Sequence, residues 1–184
     1  MIKMYSKRII WLIILLFASV ISTFILSKAE SVISTIAILT VFMPMITASA
    51  GNAGSQTTAL LIRGLSLGTI KTKDFFKALR KELLVGILVG GSLAIICYAF
   101  LWMEQYIGVI EVNENARSIF ACVALSLMIV VIVAKCIATT LPMLAKLCKL
   151  DPAVMAGPLV TTLADSIAIF IYFTIAKEIL IPLI

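Results

Sequence analysis

A lone carboxylate, Asp165, stands in the apolar stretch 153–176, which contains no basic residue to neutralise it. An ionisable group at membrane depth is costly to keep there, and by default it marks an ion or proton path. Its surroundings extend the polar character: on a helix, Pro158, Thr161 and Thr162, lying seven, four and three residues earlier, share its face. The alternative is a protonated Asp165 that only hydrogen-bonds across a helix contact. A second polar run lies at 48–58, where Asn52, Ser55 and Gln56 cannot face lipid without partners and must face protein or water. Gly51, Gly54 and Gly157 allow close helix approach, a property shared by packed helices and pores alike. The neighbouring Asn52, Ser55 and Gln56 favour the wet surface. Together with carbonyls freed one turn before Pro44 and Pro158, these side chains supply oxygen donors, and the chain has no His. An oxygen-only set suits a hard cation such as Mg²⁺ or Ca²⁺ and argues against a dedicated Zn²⁺ or Cu⁺ site. Mg²⁺ dehydrates reluctantly, so a wide site with few direct ligands and many outer-sphere oxygens would serve it.

The elements that must position these residues are membrane helices. The 184-residue chain is 62% hydrophobic and 13% charged, with mean hydropathy +1.20, whereas soluble domains are about 25% charged. The net charge of +6 does not indicate nucleic acid, because the basic residues sit at the ends of apolar segments and are not interleaved with exposed aromatics. Cys97, Cys122, Cys136 and Cys148 lack metal-ligand spacing, and the first three fall in apolar runs as small hydrophobes. The apolar run after Arg8 is too long for a signal peptide and lacks a clear small-residue cleavage site, so it is expected to remain as a spanning helix.

Hydropathy and polar breaks predict an all-α membrane protein with five transmembrane helices, at 9–27, 31–58, 83–102, 119–144 and 153–176. Residues 1–8 form a short cytoplasmic N-terminus, and 9–184 form one five-helix transmembrane ion-transport domain. One side of the membrane collects Lys3, Lys7, Arg8, the basic connection from Arg63 through Lys71, Lys73, Lys77, Arg80 and Lys81, and Lys146 and Lys149. The other side holds Lys28, Arg117 and Lys177. The positive-inside bias therefore sets the N-terminus in the cytoplasm and, with five spans, the C-terminus outside a cell (inner or plasma) membrane. The outer loop carries Glu104, Glu111 and Glu114, which would concentrate cations at the mouth. Lys135 fits no loop: it lies eleven residues before Lys146, about 16 Å deep at the helical rise. It needs a partner or water, and Asp165, a subunit contact or a polar groove are the open alternatives.

The run Pro44-Met45-Ile46-Thr47-Ala48-Ser49-Ala50-Gly51-Asn52-Ala53-Gly54-Ser55-Gln56-Thr57, followed by Ile62-Arg63-Gly64-Leu65-Ser66-Leu67-Gly68, resembles the signature of MgtE-type magnesium channels. So does Asp151-Pro152-Ala153-Val154 with Gly157-Pro158-Leu159-Val160-Thr161-Thr162-Leu163-Ala164-Asp165. The two blocks stand in the right order, separated by the right number of spans. The resemblance implies a homodimer of five-helix subunits in lipid, with the second and fifth helices of both chains lining one pore on the two-fold axis. It implies that Asp165 binds hydrated Mg²⁺, aided by backbone oxygens near Thr161, Gly157, Ala48 and Gly51, with Asn52, Ser55, Gln56, Thr162 and Pro158 lining the pore. Mn²⁺, Co²⁺ and Ca²⁺ share the same donor chemistry.

The chain departs from the family in three ways. Members carry a cytosolic N-terminal domain, paired CBS domains and an amphipathic linking helix before the first span, while only eight residues precede Ile9 here. The magnesium-sensing gate is thus expected to be missing, and regulation to fall to the membrane domain or to a separate regulatory protein. Lys135 is not a residue associated with the family's fourth helix, and Ala50 stands where the motif often has a second glycine. Enzymatic function is not expected, because no paired His or acidic motif supplies a nucleophile or metal cluster. The rival readings are a proton- or Na⁺-coupled secondary transporter and a small non-transporting membrane subunit.

Overall fold

Long apolar runs with charged ends fold here into helices that outlast the runs themselves. The structure, a computed structural model, describes residues 2–35, 37–111, 115–149, 151–152 and 157–183. Its helices are α1 (Ile2–Lys28), the short α2 (Glu30–Thr35), α3 (Leu39–Ser66), α4 (Phe75–Tyr106), α5 (Ala116–Leu147) and α6 (Pro158–Leu180). The fold is all-α, multi-helix and membrane-embedded. Among the described residues, three stretches are long and apolar enough to cross a membrane, Thr72–Tyr106, Ala116–Leu147 and Pro158–Leu180, and 12–28 is a shorter apolar helix. α3 misses that composition because of its own polar half, although its 28 residues would reach about 42 Å.

Several boundaries differ from the sequence expectation. The second segment divides between α2 and α3, and α3 continues past Thr58 to Ser66, so Arg63 belongs to a helix end and not to the connection. α4 begins at Phe75, which makes Lys77, Arg80, Lys81 and Glu82 helical, and Glu104 lies inside its C-terminal end. Long charged side chains can lead their heads toward water from inside a terminal turn, so a hydropathy window ends a helix too early. Glu114 and the segment 153–156 lie outside the described residues. Both α3 and α4 are followed two residues on by a glycine in the left-handed region, Gly68 at φ 72° and Gly108 at φ 75°, which turns the chain out of the helix without a Cβ clash.

α5 is the central scaffold and packs against α3, α4 and α6. α3 runs parallel to α5, since Lys135 reaches Thr57 and Lys146 donates to the Leu65 carbonyl at 2.8 Å. α6 runs antiparallel to α3: buried Tyr172 donates its hydroxyl to the Leu39 carbonyl at 2.9 Å, while Val160 meets Gly54 at the other end. α1 joins through α6, where Ser22 and Ser166 hydroxyls lie 2.7 Å apart. The outer faces are apolar, with Phe17 71%, Leu88 72% and Ile95 74% exposed. Exposed apolar faces of this kind belong against hydrocarbon.

Small residues set the helix spacing. A Cβ on Gly90 would stand 2.9 Å from the Met128 carbonyl oxygen of α5, and one on Gly86 3.3 Å from the Ile132 Cα. Gly91, one residue along, faces open space. Gly90→Ala is therefore expected to lower the stability of the α4–α5 pair by about 1–3 kcal/mol through overpacking. Gly91→Ala should be neutral or slightly stabilising, since Ala favours helix by about 1 kcal/mol. Thermal unfolding in detergent checks this, and equal midpoints for the two variants would contradict the packing described.

Candidate cation site

α6 starts at Pro158, and seven residues later presents Asp165 toward α3. A Cβ added to Gly51 would lie 3.6 Å from Asp165 Oδ1 and 3.8 Å from Thr161 Cγ2, so the absence of a side chain at Gly51 leaves the carboxylate beside the α3 backbone. Gly54 serves a different purpose: its Cβ would come within 3.1 Å of Val160 Cγ1, which makes it the close-packing glycine of the α3–α6 contact. Gly157 makes no close approach to the described residues, none of which lies within 4 Å of its Cβ position. Pro158 also departs from expectation, since at the first position of α6 it removes no hydrogen bond of that helix.

The hydroxyls near Asp165 are oriented by their own backbone. Thr161 donates to the Pro158 carbonyl at 2.9 Å, and Thr162 donates to the same oxygen at 2.8 Å. Their protons thus point away, and each hydroxyl oxygen keeps lone pairs for a cation or its water shell. The Gly157 carbonyl accepts the Thr161 amide at 3.2 Å, and it retains a second lone pair. Asp165 is half-buried and makes no hydrogen bond or ion pair among the described residues.

On α3, Pro44, Ala48, Asn52, Ser55 and Gln56 are all exposed in the single chain, and their spacing of three or four residues puts them on one face. Asn52, Ser55 and Gln56 make no side-chain hydrogen bond among the described residues. The structure thus brings Asp165, Thr161 and Gly51 into contact, and it puts Ala48, Asn52, Ser55 and Gln56 on the open face of α3 with Gly157, Pro158 and Thr162 at the start of α6. No group of three or more His, Cys, Asp or Glu that could enclose a metal occurs among the described residues. The donor set is one carboxylate with neutral oxygens, which fits a hydrated hard cation better than a stripped one.

Lys135 is paired, and its partner is Glu82, not Asp165. The buried Nζ lies 3.3 Å from Glu82 Oε2 and 3.0 Å from Thr57 Oγ1, while Thr57 donates to Glu82 Oε2 at 2.9 Å. Gly86 gives the lysine stem room, its Cβ position lying 3.4 Å from Lys135 Cδ. Sequence reasoning misses Glu82, which sits one residue outside the apolar run that begins at Leu83, and it places Thr57 only within the polar run 48–58. The readable signal was the seven-residue separation of Glu82 from Phe75, two turns deep once α4 is allowed to begin there. Removing either charge leaves the other buried and unpaired, which costs about 3 kcal/mol or more. Glu82→Leu and Lys135→Met alone should each lower the unfolding midpoint, and the double variant should recover much of the loss. Additive losses in that double-mutant cycle would show that the two groups are not coupled.

The profile of the MgtE family, described as a divalent cation transporter, matches residues 43–175. The chain is similar to proteins named magnesium transporter MgtE from Enterococcus faecalis (33% identical over 95% of this chain and 37% of that one) and Bacillus subtilis (35%, over 92% and 36%). It is also similar to the protein of that name from Thermus thermophilus (28%, over 97% and 38%). The chain spans a little over a third of the length of these relatives.

Proposed function

The chain belongs to the MgtE family of divalent cation transporters, a family of transport proteins and not of enzymes, and on that premise we propose that it conducts hydrated Mg²⁺ across a membrane through a water-filled path lined by α3 and α6. The observation that carries the proposal is Asp165, half-buried beside Gly51 where the open polar face of α3 meets α6, with no partner among the described residues. In this reading Asp165 attracts the ion, Thr161 and the backbone oxygens of Gly157, Ala48 and Gly51 hold its water shell, and Asn52, Ser55, Gln56, Thr162 and Pro158 line the approach. Mn²⁺, Co²⁺ and Ca²⁺ are the competing cargoes for such an oxygen set.

A single copy leaves the polar face of α3 toward lipid, where its amides and hydroxyl have no partner. Two copies related by a two-fold axis would set the α3 and α6 faces opposite each other and close the path, with two Asp165 carboxylates near the ion. α1 to α6 then provide five crossings, α2 being a short turn of helix, and the basic ends of α3, α4 and α5 face the cytoplasm together with the N-terminus. The C-terminus lies outside.

Asp165→Asn removes the charge and keeps the shape, so Mg²⁺ uptake into liposomes should fall about tenfold or more while the protein remains folded and monodisperse. Asp165→Glu should be impaired but milder, because its longer side chain narrows a site meant for a hydrated ion. Normal uptake by the Asn variant would remove Asp165 from the path. A coupled carrier would draw on the same unpaired carboxylate, so the assay is run without any pH or Na⁺ gradient: uptake under those conditions supports a channel, and its strict dependence on either gradient supports the carrier. Crosslinking in mild detergent should trap a dimer, and a conducting preparation that is strictly monomeric would refute the shared path.

A further inference from the structure

A cavity of about 500 Å³ opens between the C-terminal end of α3 and the N-terminal end of α4. Exposed Arg63, Lys77 and Lys81 supply three cations to its lining, with Leu60, Leu67 and Ile70 among its apolar walls. Two carboxylates also line it, and both are engaged. Glu82 accepts from Thr57 and pairs with Lys135, and Asp74 accepts the Lys71 amide at 3.0 Å. Arg63, Lys77 and Lys81 have no ion-pair partner among the described residues. The cavity therefore presents an excess of positive charge, which repels a divalent cation and attracts an anion.

A second hollow on α4 shares Lys77 and Lys81 with this cavity and is also lined by Phe76, Arg80 and Leu84. Phe76 is 81% exposed and Leu84 54% exposed. Cationic side chains beside an exposed aromatic and an aliphatic, at the end of a membrane helix, match a ligand that is anionic at one end and hydrocarbon at the other. A free phosphate would use the cations and leave the apolar rim bare. We infer that this cavity binds an anionic phospholipid, with Arg63, Lys77 and Lys81 on its phosphate and Phe76 and Leu84 against the root of its acyl chains. The assignment to the cytoplasmic leaflet rests on the orientation proposed above, whereas binding itself does not depend on ion transport.

The test is lipid retention by the full chain in detergent, counted by native mass spectrometry during titration with phosphatidylglycerol or phosphatidylcholine. The wild type should take up phosphatidylglycerol saturably, with one site per chain, and phosphatidylcholine far more weakly. Each cation near a lipid surface is worth about a factor of five in affinity, so Arg63→Gln/Lys77→Gln/Lys81→Gln should bind on the order of a hundredfold more weakly. Arg117→Gln/Lys177→Gln, at the opposite ends of the helices, should bind as the wild type does. If the triple variant is not monodisperse, the three single variants carry the test, each weakening binding about fivefold. Equal uptake of the two lipids, or unchanged uptake by the cavity variants, would overturn the inference. Displacement of the lipid by inorganic phosphate alone would overturn it as well, identifying a free-phosphate site. Because no ion flux is measured, these outcomes are independent of whether Asp165 conducts.

Discussion

Hydrocarbon offers no hydrogen-bond partner, and the polar side chains on the two faces of α3 are arranged by that constraint. The chain meets it in two opposite ways. Thr57, Glu82 and Lys135 satisfy one another inside the α3–α4–α5 contact, a closed solution in which a carboxylate, an ammonium and a hydroxyl leave no charge uncompensated. Asp165, Asn52, Ser55 and Gln56 are left open on the other side of α3, with no partner among the described residues. Water, a permeating cation and a second copy of the chain are the partners that the open set would accept.

The two sets are linked by the helix they share. Ser55 and Thr57 are two residues apart, about 200° around the helix axis, so fixing Thr57 against Glu82 and Lys135 turns Ser55 and its neighbours toward the open side. The glycines fix distance where the ion pair fixes rotation. Gly86 and Gly90 bring α4 onto α5, Gly54 brings α3 onto Val160 of α6, and Gly51 leaves Asp165 against the backbone of α3. Lys146 of α5, holding the Leu65 carbonyl, and Tyr172 of α6, holding that of Leu39, tie down the two ends of α3. The geometry around Asp165 therefore depends on contacts well away from it, including an ion pair that touches no part of the proposed path.

Much of this was legible from residue types. An acid with no basic neighbour in an apolar stretch, and amides in the second half of an otherwise apolar helix, marked the two faces that the structure brings together at Asp165 and Gly51. What composition could not supply was partnership. Lys135 was recognisable as misplaced, but its partner lies 53 residues away in sequence, at a position that a hydropathy window assigns to a loop. Helices extend past the hydropathy boundaries for the same reason at Arg63, Lys77 and Glu104, since charged groups lower the window average without ending the backbone hydrogen bonding. The role of Pro158 turned on which residue begins α6, and only the backbone decides whether a proline interrupts a helix or opens one.

If the open face of α3 is wet and shares its water with the ion, a cysteine placed at Asn52, in a background whose four native cysteines are replaced, is open to alkylation by a small charged thiol reagent in the membrane. Asn52→Cys is expected to react quickly and to be protected by millimolar Mg²⁺, while Leu88→Cys on the outer face of α4 stays unreactive. An Asn52→Cys as unreactive as Leu88→Cys would mean that this face is sealed by lipid or protein, and would contradict the account.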